Sequence, residues 1–175
     1  MKIVLETERL SLREHSIADA ENMYNLNLDP EVMKYTGNDS FKSIEDARHF
    51  LSTYDHYKNY GFGRWAVIYK TTNEYLGWCG LKYTPELDEY DIGFRFFKRQ
   101  WDKGFATEAA IACLEMGFIN SKITTIVGRV MRENTASINV LKKIGLSYFK
   151  EKITGSEQWL IYKIEKANFQ PEKHI

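Results

Sequence analysis

Two short stretches of this chain carry residue types and spacings that could do chemistry. The first, at 100–108, reads Gln-Trp-Asp-Lys-Gly-Phe-Ala-Thr-Glu and follows the strand-like run EYDIGFRFF at 89–97. It opens the most apolar helix-like run, which ends near Ile119. The first N–H groups of a helix have no partner inside it, and its start carries partial positive charge. Gly104 and Ala106 are small enough to let a ligand reach that bare backbone, and such a helix start suits a pyrophosphate. Taken alone, the same residues also describe an ordinary strand-to-helix turn. The second stretch, VMRENTASINVLKKIGL at 130–146, has the spacing to complement the first.

The elements around them alternate between strand and helix patterns. Residues 8–15 read as a strand, and 16–28 as a helix with Ser16 as N-cap. Asp29-Pro30 reads as a helix start. Residues 43–60 form one further helical stretch, opened by Ser43 and Asp46 in a capping-box arrangement. Strands at 63–70, 75–84 and from Glu89 follow as hairpins or a meander. After the long helix come a strand at 123–130, a helix near 136–144 closed by Gly145, and strands at 146–153 and 157–165 with Gly155 in their turn. Residues 1–167 are expected to form a single α/β domain, with 168–175 a frayed tail. Ala106, Ala109, Ala110, Cys113, Met116 and Gly117 give the long helix a small-residue face for close approach to a sheet.

Composition removes several function classes. Lys plus Arg equals Asp plus Glu at 24 each, so no overall basic field draws nucleic acid or an anionic membrane. Cys79 and Cys113 lack metal-type spacing and read as core. His49 and His56 have no third ligand, so no metal is expected. Gly-Phe-Gly at 61–63 lacks the continuation of an RNA-recognition strand, and neither a Walker loop nor a Gly-x-Ser-x-Gly elbow is present. The N-terminal Ile3, Val4 and Leu5 are too few for a signal peptide or span, so a cytoplasmic location is expected.

In order along the chain, four pieces resemble the GNAT superfamily of N-acetyltransferases, and within it the RimJ/RimL-like group. They are ETERLSLREHSIADAENMY at 6–24, DIGFRFFKRQWDKGFATEA at 91–109, NTASINVLKKIGL at 134–146, and EQWLIYKIE at 157–165. The resemblance implies a mixed, strongly bent sheet of roughly six to seven strands, flanked by about four to five helices. Its fourth and fifth strands, here 89–97 and 123–130, should splay apart. It also implies acetyl-CoA as cosubstrate. The pantetheine arm would lie along the backbone of Phe94, Arg95, Phe96 and Phe97, with the pyrophosphate on Lys103, Gly104, Phe105, Ala106 and Thr107. Trp101 stands where the family often has Gln or Arg, so side-chain help to the phosphates cannot come from there.

The implied reaction is attack of a neutral amine on the thioester. It needs a proton acceptor for the amine, a donor for the developing oxyanion and a proton source for the thiolate. Asp91 is the first candidate base and Glu89 the second, since strand periodicity puts them on one face. The other reading of either is a solvated acid at a strand start. Ser137 is the candidate donor to the thiolate, against a helix-start Ser that back-bonds to main chain. Asn134 reads as an N-cap and, by resemblance, as a coenzyme contact. Lys142, Lys143, Arg95, Lys98, Arg99 and Lys103 are open candidates for the 3′-phosphate. Acceptor loops near 35–41, 83–87 and 153–158 carry Asp39, Glu86, Asp88 and Glu157, which suits a cationic amine, as a peptide N-terminus or a small molecule. A non-catalytic acyl-CoA-binding module is the alternative. Either a monomer or a homodimer fits the sequence.

Overall fold

The computed structural model describes residues 3–120 and 122–170. The chain starts with two short strands, β1 (Ile3–Glu6) and the alternating β2 (Leu10–Arg13). Helices α1 (Ala20–Leu26), α2 (Pro30–Met33), α3 (Ile44–Thr53) and α4 (His56–Tyr60) follow. The middle is a meander of β3 (Arg64–Tyr69), β4 (Glu74–Thr84) and β5 (Glu89–Phe96). Then come α5 (Phe105–Ile119), β6 (Thr125–Met131), α6 (Thr135–Lys143), β7 (Ser147–Thr154) and β8 (Glu157–Glu165). The strands make one eight-stranded sheet in the order β1-β2-β3-β4-β5-β6-β8-β7. That is more strands than the sequence predicts, because β1 is a four-residue edge strand with little alternation to betray it.

Every neighbouring pair runs antiparallel except β5 and β6. β5 pairs with β4 along its whole length, from Thr84↔Glu89 to Gly77↔Phe96. With β6 it pairs only at Asp91↔Val127. Beyond that point the two strands diverge, as expected for 89–97 and 123–130.

Layers cover both faces of the sheet. On one face α5 packs against Leu81, Ile92 and Phe96 through Ala110, Cys113, Leu114 and Phe118. The small-residue face works as the sequence predicts: a Cβ on Gly117 would lie 2.5 Å from Leu81 Cδ1. Cys79 and Cys113 are fully buried free thiols with their Sγ atoms 3.7 Å apart. Each buried leucine here contributes on the order of 2 kcal/mol by leaving water. On the opposite face α1, α2 and α3 pack over β3 and β4 through Met23, Leu26, Val32 and Ala47, with Trp78 between the two clusters.

Capping follows the sequence closely. Asp29 accepts from the Glu31 amide (2.9 Å) and Ser43 from the Asp46 amide (3.1 Å). The predicted helix at 43–60 is instead two, α3 and α4, because Tyr54 leaves helical geometry at ψ 106°. The break lets both tyrosines reach β3: the Arg64 amide donates to Tyr54 Oη (2.8 Å), and Tyr57 Oη donates to the Arg64 carbonyl. Phe169, in the stretch predicted to fray, packs its ring 5.3 Å from that of Phe118. The rest of that tail, 171–175, lies outside the described residues. No helix among the described residues is long and apolar enough to cross a membrane.

Candidate active site

α5 begins at a turn built for a bare helix start. Gly104 caps it at φ +79°, a left-handed conformation that favours glycine, two residues after Asp102 at φ +59°. Glu108 makes the first helical hydrogen bond, to the Gly104 carbonyl at 3.0 Å. The amides of Phe105, Ala106 and Thr107 precede it without a main-chain acceptor. Gly104 and Lys103 are exposed, while the Phe105 ring is sunk in the core as the anchor of the turn.

Glu108 would oppose an anion here were its charge not taken up. Its carboxylate accepts from the Arg9 amide (2.9 Å), from Arg9 Nε (2.6 Å) and from the Thr7 hydroxyl. Burial pushes its pKa up, but these bonds outweigh it and hold the group below the usual carboxylate range. Arg9 also donates to the Lys103 carbonyl (3.0 Å) and lies over the Phe105 ring, so the β1–β2 connection braces the start of α5. The Trp101 indole donates to the Phe96 carbonyl at 2.9 Å. That bond ties the turn back to the end of β5. Lys103 Nζ meets Gln100 Oε1 at 3.1 Å.

β5 links this turn to the rest of the site. Ile92, Phe94 and Phe96 face α5, and Phe97 is buried in the cluster on the opposite face. From Gly93 to Phe96 the strand's β6 edge has no pairing, so main-chain groups of 93–96 border the gap. Glu89, Asp91, Gly93 and Arg95 alternate onto the other face.

Both candidate bases are ion-paired. Arg64 grips Asp91 through both carboxylate oxygens at 2.8 and 3.1 Å, and Arg129 stands 3.8 Å away. Glu89 is held by Arg129. Arg64 also donates to the carbonyls of Gly80 and Asp91, and its guanidinium lies so flat on β5 that a Cβ on Gly93 would come 2.7 Å from it. That is the local reason for a glycine in Ile92-Gly93. His15 Nδ1 lies 3.0 Å from the Arg64 carbonyl and Nε2 lies 3.0 Å from Tyr75 Oη. Burial pulls His15 down to about 4 against the opposing Arg64 carbonyl, so the ring is neutral near pH 7.

A cavity of about 280 Å³ opens on this face between α1, α3 and the sheet. Arg64 and Arg95 form its floor with Trp78, and both guanidiniums lie 5.4 Å from the Trp78 ring. His15, Tyr54 and Asp39 are also in its wall. The side chain of Arg95, a candidate for the 3′-phosphate, points here and not to the α5 turn. It donates to Asn27 Oδ1 and reaches Met33 Sδ at 3.4 Å. The reason is strand alternation, which turns Arg95 away from α5.

On α6, Asn134 Oδ1 accepts from the Ser137 amide at 3.1 Å, so Asn134 is an N-cap. Ser137 is half-buried on the first turn, and Lys142 is exposed on the last. Arg64, Arg129, Arg9 and His15 are site residues that the sequence reading passed over. For Arg64 a signal existed: a charge at the head of the otherwise apolar run Trp65 to Ile68. Pairings such as Arg129 with Glu89, 40 residues apart, leave no local trace.

Residues 9–147 match the acetyltransferase (GNAT) domain family. The chain belongs to the GNAT acetyltransferases. An N-acetyltransferase of Bacillus licheniformis, p20, itself uncharacterized, is 34% identical over 149 residues, covering 84% of this chain and 83% of that one. The crystal structure of a GNAT-family acetyltransferase from Bacillus anthracis superposes at TM-score 0.78 with 33% identity, covering 95% of this chain and 99% of that one. RimL, the ribosomal L7/L12 α-N-protein acetyltransferase, solved with coenzyme A, shares the fold at TM-score 0.78 and 14% identity over 94% of this chain and 98% of that one. The GNAT fold thus accounts for the splayed β5 and β6 and for the bare start of α5.

Proposed function

We propose that this GNAT protein transfers the acetyl group of acetyl-CoA to a primary amine bound in the Arg64–Arg95 cavity. One observation carries the reading. The bare amides of Phe105, Ala106 and Thr107 follow in the chain soon after the unpaired β6 edge of 93–96, and the same strand supplies Arg95 to the cavity. A diphosphate would sit on those amides together with Lys103 and Gly104, and the pantetheine arm would run beside the main chain of 94–97. Lys142 is kept as a weaker contact to the 3′-phosphate, and Asn134 as a contact to the coenzyme.

In the reaction the amine nitrogen attacks the thioester carbonyl carbon, and the C–N bond forms as the C–S bond breaks. The nitrogen gives up one proton and the thiolate takes one. Main-chain N–H groups on the open β5 edge would receive the developing oxyanion. Asp91 is assigned the proton from nitrogen, with Glu89 behind it. Because Arg64 already occupies Asp91, the incoming ammonium must compete with a guanidinium for that carboxylate. Ser137 is assigned the proton donated to the thiolate.

The ion pairing of both carboxylates also supports a second reading, a binding module without turnover. Calorimetric titration with coenzyme A, followed by thiol release from acetyl-CoA over peptides, polyamines and aminoglycosides, separates the two. Micromolar binding with turnover supports the transferase. Tight binding with no turnover across the panel favours the module, and absence of binding defeats both.

A further inference from the structure

Charge on the cavity floor is unevenly compensated. Every other arginine of the chain holds a carboxylate: Arg64 and Arg129 in the site, the rest elsewhere. Arg95 is the exception. Among the described residues no carboxylate lies within 4.0 Å of its nitrogens, and its hydrogen-bond partners are the neutral Asn27 and Met33. Asn27 is buried, and its own Nδ2 is held by the Met23 carbonyl at 2.7 Å, so its oxygen is aimed at Arg95 by α1. Burial, with the neighbouring Arg64 adding to it, pulls Arg95 down to about 10, though Tyr75 opposes, so it stays charged near pH 7.

Even half-buried, as Arg95 is, a guanidinium is costly unless something pairs with it. Arg64 cannot help, because it is a like charge already committed to Asp91. The acid in the cavity wall, Asp39, stands exposed on the 34–43 connection and makes no ion pair among the described residues. Five donors in a planar fork, stacked on Trp78 and open to a cavity the size of a small metabolite or dipeptide end, are suited to an oxyanion.

Resting on the transferase reading above, we propose that the acceptor carries an oxyanion, carboxylate or phosphate, which pairs with Arg95 while its amine reaches toward Asp91. Arg95 is then a specificity residue for an amino-acid-like or phosphorylated amine, and the positive floor discriminates against polyamines. The mixed charge of such an acceptor reconciles the acidic loops read in the sequence with the basic floor.

Matched acceptors test this: a dipeptide with a free or an amidated C-terminus, and O-phosphoethanolamine against ethanolamine, each assayed by thiol release from acetyl-CoA. The anionic member of at least one pair is expected to be used about tenfold better or more, mainly through KM. Which pair shows the preference tells carboxylate from phosphate. Arg95→Met should collapse that ratio toward one, and Arg95→Lys should keep part of it. Equal use within both pairs, or a preference for spermidine, overturns the anion site but leaves acetyl transfer standing, whereas failure to bind coenzyme A removes the underlying reading. Should no acceptor turn over or Arg95→Met fail to fold, the wild-type chain decides through its tryptophan emission, since Trp78 lies under Arg95. Saturable change on titration with inorganic phosphate or acetate, absent with sodium chloride, supports the site; a linear or absent response overturns it.

Discussion

The two faces of β5 handle charge in opposite ways. Toward α5 the candidate coenzyme cradle is made of main chain: bare amides, a left-handed Gly104 and an open strand edge, with Glu108 neutralised by Arg9. On the other face the candidate acceptor cavity is made of side chains, where Arg64, Arg95, His15 and Tyr54 are each oriented by a distant residue. Main chain recognises what every coenzyme A molecule has in common. Side chains can be exchanged one at a time, so acceptor choice can drift while the donor site stays as it is.

The sharpest way to break the comparison is Arg64→Met. It leaves the half-buried Asp91 with only Arg129, at 3.8 Å, and strips the Gly80 and Asp91 carbonyls of a donor, so stability should fall by about 3 kcal/mol. Chemical denaturation with and without coenzyme A checks it; a loss below about 1 kcal/mol would show the pair to be dispensable. His15 gives the next effect, through pH. Its folded value, about 4, lies below its ordinary 6.5, so the unfolded chain takes up a proton that the folded one refuses. Stability from this group is therefore complete above pH 6.5, falls as pH drops from 6.5 toward 4 by roughly 3 kcal/mol, and levels off below. Thermal melts across that window should show the slope, and His15→Gln should flatten it.

Asp91→Asn tests the join between the two regions. Turnover is expected to fall about a hundredfold or more while coenzyme affinity stays nearly unchanged. Equal losses in both would remove Asp91 from the base role. Gly104→Val acts on the main-chain end: a β-branched residue at φ +79° is strained, and its Cβ stands beside the Arg9 guanidinium at 3.3 Å. Coenzyme binding should weaken about tenfold, with acceptor preference unaltered. Calorimetry showing native affinity would count against the cradle.

The same division explains what was legible in the sequence. Gly104, Ala106, Gly117 and Asn134 act through backbone geometry or smallness, which local spacing declares. The strand meander, α5 and its sheet-facing side were readable for the same reason. Arg64 and Arg95 act through partners from 16 to 68 residues away, and no periodicity encodes that. The acidic loop residues pointed to a cationic acceptor, yet the cavity floor is basic, because surface charges are visible one by one while a floor is assembled from three strands. The break between α3 and α4 was hidden likewise: helical spacing runs through Tyr54, and the partner of its hydroxyl, the Arg64 amide, lies ten residues on.

The single bridge at Asp91↔Val127 leaves a seam through the middle of an otherwise continuous sheet. Five strands lie on one flank of it and three on the other, joined by α5 and by packing. A molecule lodged in that seam would act as mortar between two walls. Occupancy should therefore raise the melting temperature with ligand concentration and slow amide exchange on both flanks together, although the ligand would touch only a few residues of either.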